Sequence, residues 1–86
     1  LDELTKIEGI GPYYRDALHK LGIMTFAQLA QETDAKALVE RLKANGFRQH
    51  PTIPTWAEQA ALAAAGDWEA LTALQSNLTT GRRTEG

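Results

Sequence analysis

Ile7-Glu8-Gly9-Ile10-Gly11-Pro12 is the stretch of this 86-residue chain whose residue types suit chemistry, and that chemistry is anion binding. Two glycines flank one apolar residue, and a proline follows. Glycine reaches backbone angles that other residues find costly, so Gly9 and Gly11 permit a very tight turn. Pro12 suits the first position of a helix, where its missing N–H would be unpaired anyway. Ile10 is then free to point inward and pin the turn to a core. The N–H groups around Gly9, Gly11 and Tyr13 are left at the helix start, where phosphate oxygens are favoured. The same spacing also describes a purely structural turn, and the residues alone leave both readings open.

Other chemistry has weaker support. The two histidines, His19 and His50, are distant in sequence and lack a carboxylate or cysteine at ligand spacing, so no metal site is expected. Ser76 is the single serine and has no evident base beside it. Asp2, Glu3, Glu8 and Asp16 do not form the carboxylate set that two-metal nuclease chemistry needs. Catalysis and a cofactor are therefore not expected. Cysteine is absent, which excludes disulfides and thiolate sites and agrees with a reducing cytoplasm. No apolar run approaches transmembrane length. The chain opens on Leu1 and not on methionine, so a segment of a longer protein is expected.

Formal net charge is −2. Residues 1–46 hold six basic side chains (Lys6, Arg15, Lys20, Lys36, Arg41, Lys43) against seven acidic ones, and the remainder holds three against four. Neither half has the basic surface typical of nucleic-acid binding, so phosphate contact must come from a local patch.

The elements that would position the hairpin read as helices. Residues 2–6 are too short for an independent helix and must be held by packing. Tyr14, Ala17, Leu18 and Leu21 follow the spacing of one buried helical face from Pro12 onward, and Gly22 ends it. Thr25-x-x-Gln28 is a capping box for a short helix from Phe26 to about Gln31. Thr33 or Asp34 caps the next, with Ala35, Leu38, Val39 and Leu42 inward and Asn45-Gly46 as its stop. Pro51 and Pro54 predict an irregular connection over 47–54. Thr55-x-x-Glu58 predicts a cap for an alanine-rich helix over 56–65, and Asp67 caps a last helix carrying Trp68, Leu71, Leu74 and Leu78. Trp56 and Trp68 are both expected to serve the core. No segment has strand alternation.

Leu4-x-x-Ile7-x-Gly9-Ile10-Gly11-Pro12, followed by Ala17-Leu18 and Gly22-Ile23, resembles the helix-hairpin-helix family. Thr55-Trp56-Ala57-Glu58-Gln59-Ala60 and Gly66-Asp67-Trp68-Glu69-Ala70-Leu71 look like a small bacterial variety of that domain, often appended to larger proteins and similar to the helix-three-turn-helix module of flap endonucleases. The resemblance implies non-catalytic, sequence-independent binding of the DNA backbone. Gly9, Ile10, Gly11 and Pro12 would shape the site, and Tyr13, Arg15 and Lys6 would make contacts. It also admits a monovalent cation on the hairpin carbonyls. Two positions depart from the pattern: Tyr13 stands where members often carry Lys or Arg, and Glu8 precedes the first glycine. These departures and the acidic balance suit an alternative, a protein–protein interaction or assembly module that keeps the fold without DNA.

The expected architecture is all-α, a SAM-like bundle of about five to six short helices. One domain is expected over 1–78, made of a helix-hairpin-helix unit (1–24), two further helices (25–46) and a C-terminal helical hairpin (52–78). Residues 79–86 are expected to be disordered. The expected partner is the DNA phosphate backbone, held weakly and in a salt-dependent way, or an unidentified protein, with no membrane.

Overall fold

Short side-chain caps and glycine stops divide this chain into helices with little left between them. The computed structural model describes residues 1–78, and the expected tail at 79–86 lies outside them. Among the described residues there are five α-helices, one 3-10 turn and no strand. The turn is Leu4–Lys6, followed by α1 Pro12–Lys20, α2 Phe26–Ala30, α3 Ala35–Ala44, α4 Ile53–Ala64 and α5 Trp68–Ser76. No helix among them is long and apolar enough to cross a membrane.

The expected start signals act in α1, α2, α3 and α5. Pro12 opens α1. The Thr25–Gln28 capping box forms in both directions. Asp34 and Asp67 accept from the N–H groups of Ala37 and Ala70, each at 3.1 Å. Helix α1 stops at Gly22, whose φ of +86° favours glycine. The Ile23 N–H reaches back to Leu18 C=O at 2.9 Å, which satisfies a carbonyl the helix leaves open. Helices α3 and α4 end through the same bonds at Phe47 and Asp67.

Helix α4 departs from expectation at its start. It begins at Ile53, three residues before the expected position, and Pro54 lies inside its first turn. Proline is tolerated there because first-turn N–H groups have no intrahelical partner. Thr55 is no cap. Its hydroxyl donates to Thr52 C=O at 2.7 Å. Thr52 occupies the cap position without a side-chain cap bond. Its hydroxyl is engaged elsewhere, with His50 and Trp56.

The core lies around α4. Helices α2, α3 and α5 all pack on it. Trp56, Gln59, Ala60 and Ala63 form its buried face and meet Leu4, Ile7, Leu18, Leu29, Leu38 and Leu42 in one cluster. Truncating so buried a tryptophan would cost about 3–5 kcal/mol. Trp68 corrects the expectation of a second core tryptophan. It is 45% exposed. Its ring makes a T-shaped contact with Phe26, at 5.9 Å between centroids.

The first residues have no helix to hold them and are tied by tertiary bonds. Asp2 N–H donates to Met24 C=O at 3.0 Å. The Asp2 carboxylate accepts from Phe26 N–H at 2.8 Å. Leu4 is fully buried.

Candidate nucleic-acid interface

The hairpin closes through Ile10 N–H to Ile7 C=O at 3.0 Å. Gly9 takes φ +102°, a region L side chains rarely adopt. Gly11 does not: at φ −96° and ψ −167° it is extended backbone that any residue can take. The tight turn therefore needs one glycine and not two. Gly9 is also held by space. A Cβ there would run into Thr52 Oγ1 and lie 2.8 Å from Thr52 Cβ and 3.0 Å from Trp56 Nε1. At Gly11 it would meet nothing within 4 Å. The Ile10 side chain is buried as expected, and its N–H is spent on closing the turn.

Gln59 of α4 holds the hairpin from below. Its Oε1 accepts from Glu8 N–H at 2.7 Å, and its Nε2 donates to Glu8 C=O at 3.1 Å. The side-chain amide thus pairs with one residue's backbone in both directions. Nε2 also donates to Thr55 Oγ1 at 3.1 Å, and Oε1 accepts from Gln75 Nε2 at 3.0 Å. Flipping the amide would set donor against donor at Glu8. Gln59 is the only polar side chain fully buried among the described residues.

Above this support, the N–H groups of Gly9, Gly11 and Tyr13 donate to no group among the described residues. The expected donors are therefore unengaged, at the mouth of α1. Tyr13 is 41% exposed. Its hydroxyl accepts from Arg48 N–H at 3.1 Å, and the Arg48 guanidinium carbon lies 5.4 Å from its ring centroid. Arg48 comes from the 47–52 connection and is the cation nearest the hairpin that the spacing of the motif does not announce. Of the other expected contacts, Lys6 is exposed and gives its carbonyl to Gln75 Nε2 at 2.7 Å. Arg15 pairs with the neighbouring Asp16 at 3.1 Å through Nε alone. A pair this exposed is worth at most about 1 kcal/mol, so Arg15 is readily redirected.

His50, Thr52 and Trp56 form a short relay beneath the turn. Thr52 N–H donates to His50 Nδ1 at 3.1 Å, which makes that nitrogen an acceptor. The Thr52 hydroxyl lies 2.7 Å from the same nitrogen and so donates to it, while accepting from Trp56 Nε1 at 2.9 Å. His50 is a positioning group here.

The carboxylates that could have served a nuclease are spread out. Asp2 serves α2, Asp16 pairs with Arg15, and Glu3 accepts from the Thr5 hydroxyl, which holds its carboxyl below the usual range. No group of three metal-ligating side chains occurs among the described residues. Of the hairpin carbonyls, those of Ile7 and Glu8 each accept a hydrogen bond.

Burial pushes the Tyr14 phenol above its ordinary pKa. Its hydroxyl donates to Arg48 C=O at 2.8 Å. A raised folded pKa means stability present below about pH 10 and lost as pH rises through the folded value. Tyr14→Phe should cost about 1 kcal/mol at neutral pH and flatten that alkaline loss. Urea melts of both proteins at pH 7 and pH 11 test this, and parallel slopes against pH would refute it.

A family model described as the RS2/RL21/YNQ2 HHH domain matches residues 4–64. Over 59 residues the chain is 42% identical to the large ribosomal subunit protein bL21 of Mesorhizobium japonicum. That alignment covers 69% of this chain and 26% of that protein, so the chain spans about a quarter of the relative it matches. No solved structure matches the chain.

Proposed function

The chain belongs to the RS2/RL21/YNQ2 HHH domain family, and on that footing we propose that it is a non-catalytic, sequence-independent nucleic-acid-binding module. Phosphate meets the Gly9-Ile10-Gly11 hairpin, with Pro12 setting the start of α1. Tyr13, Arg15 and Lys6 make contacts. The observation that carries this reading is the set of three unengaged N–H donors at Gly9, Gly11 and Tyr13. The relative named for the large ribosomal subunit favours a cytoplasmic RNA–protein assembly as the setting. DNA phosphate presents the same oxygens and remains a partner of the same chemistry. With few cations in reach, affinity is weak and falls steeply with salt.

Amide-resolved NMR titration with a short DNA duplex and a short RNA duplex, at low and at moderate salt, tests the proposal. Shifts confined to Gly9 through Arg15 that fade as salt rises are expected. Silent amides at low salt would overturn it. Gly11→Ser sharpens the test. A serine at this cap position accepts from the N–H of Tyr13 or Tyr14 and so competes with phosphate. Because Gly11 has open space around it, folding stability should hold or rise by a few tenths of a kcal/mol. Binding should weaken about tenfold, as expected for one lost hydrogen bond to a charged group. Unchanged affinity in this variant would remove the cap donors from the site.

A second reading, a protein-assembly module, rests on a different surface. Leu1 is 88% exposed and lies beside Met24 through the Asp2–Met24 bond. The exposed Trp68 packs against the buried Phe26, whose N–H is held by Asp2 next to Leu1. No lysine or arginine occurs over 49–78. A protein partner on this patch would move the Trp68 indole resonance and leave Gly9 through Arg15 unshifted.

A further inference from the structure

We infer that the Tyr13–Arg48 pair is a stacking platform for an unpaired nucleobase, so that the hairpin prefers a single-stranded or bulged strand to a continuous duplex. The inference rests on the phosphate-binding reading above and names the class of strand that the same site takes.

Tyr13 is fixed as a platform must be. Its ring meets Tyr14 at 4.8 Å and Phe47 at 5.7 Å, with interplanar angles of 88° and 82°. Both pairs are T-shaped, and no aromatic ring lies parallel to Tyr13 among the described residues. The hydroxyl is anchored by Arg48 N–H, which removes rotation that stacking would otherwise have to freeze. In spite of these ties the side chain is 41% exposed.

Arg48 adds a second planar group and a charge. Its guanidinium carbon lies 5.4 Å from the ring centroid, within cation–π range. Both residues are exposed, so a base stacked on the pair gains from both, and arginine planes and tyrosine rings are common partners of unstacked bases. Arg48 is in no ion pair among the described residues, so its charge is available to a ligand. Tyr13 supplies both an N–H at the helix start and the ring, so phosphate and base contacts share one residue. In a paired duplex the base face is covered by its neighbours and cannot reach the ring.

The test compares two pentanucleotides that differ only in their bases: pentauridylate and an abasic strand with the same backbone. Kd values come from NMR titration at low salt. The platform predicts about tenfold tighter binding of the base-bearing strand. It also predicts upfield movement of the Tyr13 ring protons with that strand alone. In Tyr13→Leu the base-to-abasic ratio should fall close to one, and in Arg48→Gln it should fall part of the way. The ratio is the readout, so a general loss of affinity in either variant does not imitate the result. If Tyr13→Leu fails to fold, the wild-type ratio and ring shifts decide alone. Equal binding of both strands with hairpin amides moving would overturn the platform and leave phosphate binding intact. Silence of all resonances with both strands would overturn both. A deoxyribose strand run in parallel assigns the source: equal binding means unpaired nucleotides of either polymer, and tighter ribose binding means RNA.

Discussion

Gly9→Ala should lower the folding stability by about 4 kcal/mol and leave a substantial fraction of the chain unfolded at 37 °C. Two costs combine. The backbone at φ +102° is strained for any residue with a Cβ, at roughly 1–3 kcal/mol. The new methyl also lands on Thr52, which cannot step aside, because its hydroxyl is held between His50 and Trp56. Overpacking against a fixed neighbour costs about 1–3 kcal/mol more. A chain of 86 residues has only about 4–13 kcal/mol in total. Thermal unfolding followed by circular dichroism should show a Tm lower by roughly 15–30 °C. Adding Thr52→Ala to Gly9→Ala should restore only part of the loss, because it removes the Oγ1 clash and leaves both the 2.8 Å approach to the Cβ of residue 52 and the backbone strain. A single variant within 1 kcal/mol of the parent would mean that the hairpin is not seated on α4 as described.

Gln59→Leu should cost about 3 kcal/mol, although leucine is apolar, of similar size and placed in the core. The side chain it replaces satisfies both backbone groups of Glu8. Leucine leaves both unpaired, at about 1–3 kcal/mol each, and returns part of this through its own burial. The loss should be concentrated in the hairpin, so the Glu8 amide should exchange with solvent far faster than the amides of α3. Gln59→Glu separates the hydrogen bonds from the shape. A protonated carboxyl can accept from Glu8 N–H and donate to Glu8 C=O, as the amide does. A buried carboxylate cannot, and burial raises the pKa of the introduced acid. That variant should therefore be most stable below about pH 4 and lose stability as pH rises, relative to the parent. Denaturant melts at pH 4 and pH 7 decide it, and a variant equally stable at both would contradict the reciprocal pairing.

Much of this fold is legible where a local signal and a tertiary need agree. Thr25 and Gln28 cap each other within four residues, so α2 can be read from spacing alone. Gly22 stops α1 by a bond that its own neighbours complete. The start of α4 is illegible because Thr52 spends its hydroxyl on His50 and Trp56, partners that no local window ranks above a cap. Trp68 is misplaced in the core by its spacing, because helical spacing gives a face and not a partner. Here the ring meets Phe26 in a T-shaped contact and stays half exposed. At the candidate site the motif announces Gly9, Gly11 and Tyr13. It cannot announce Arg48 or Gln59, which lie 35 and 51 residues from their partners Tyr13 and Glu8. For Gln59 a signal does exist. It falls on the stripe of Trp56, Ala60 and Ala63, so the helical period places a lone amide in the core. A buried amide with no local use asks for a distant backbone group.

The seat of the hairpin on α4 bears on portability. Residues 1–24 carry the recognisable motif, yet the turn takes its shape from Thr52, Trp56 and Gln59. Transplanted alone, those residues would bring the glycines and leave the mould behind. The residues that mould the turn lie between the 3-10 turn and the end of α4, and the family match ends at residue 64, the last of that helix. Helix α5 lies beyond that boundary. It is joined to the hairpin through Gln75, which reaches both Lys6 C=O and Gln59. A demand on the shape of the hairpin at one end of the chain is thus felt in the middle of the sequence, at Thr52, Trp56 and Gln59.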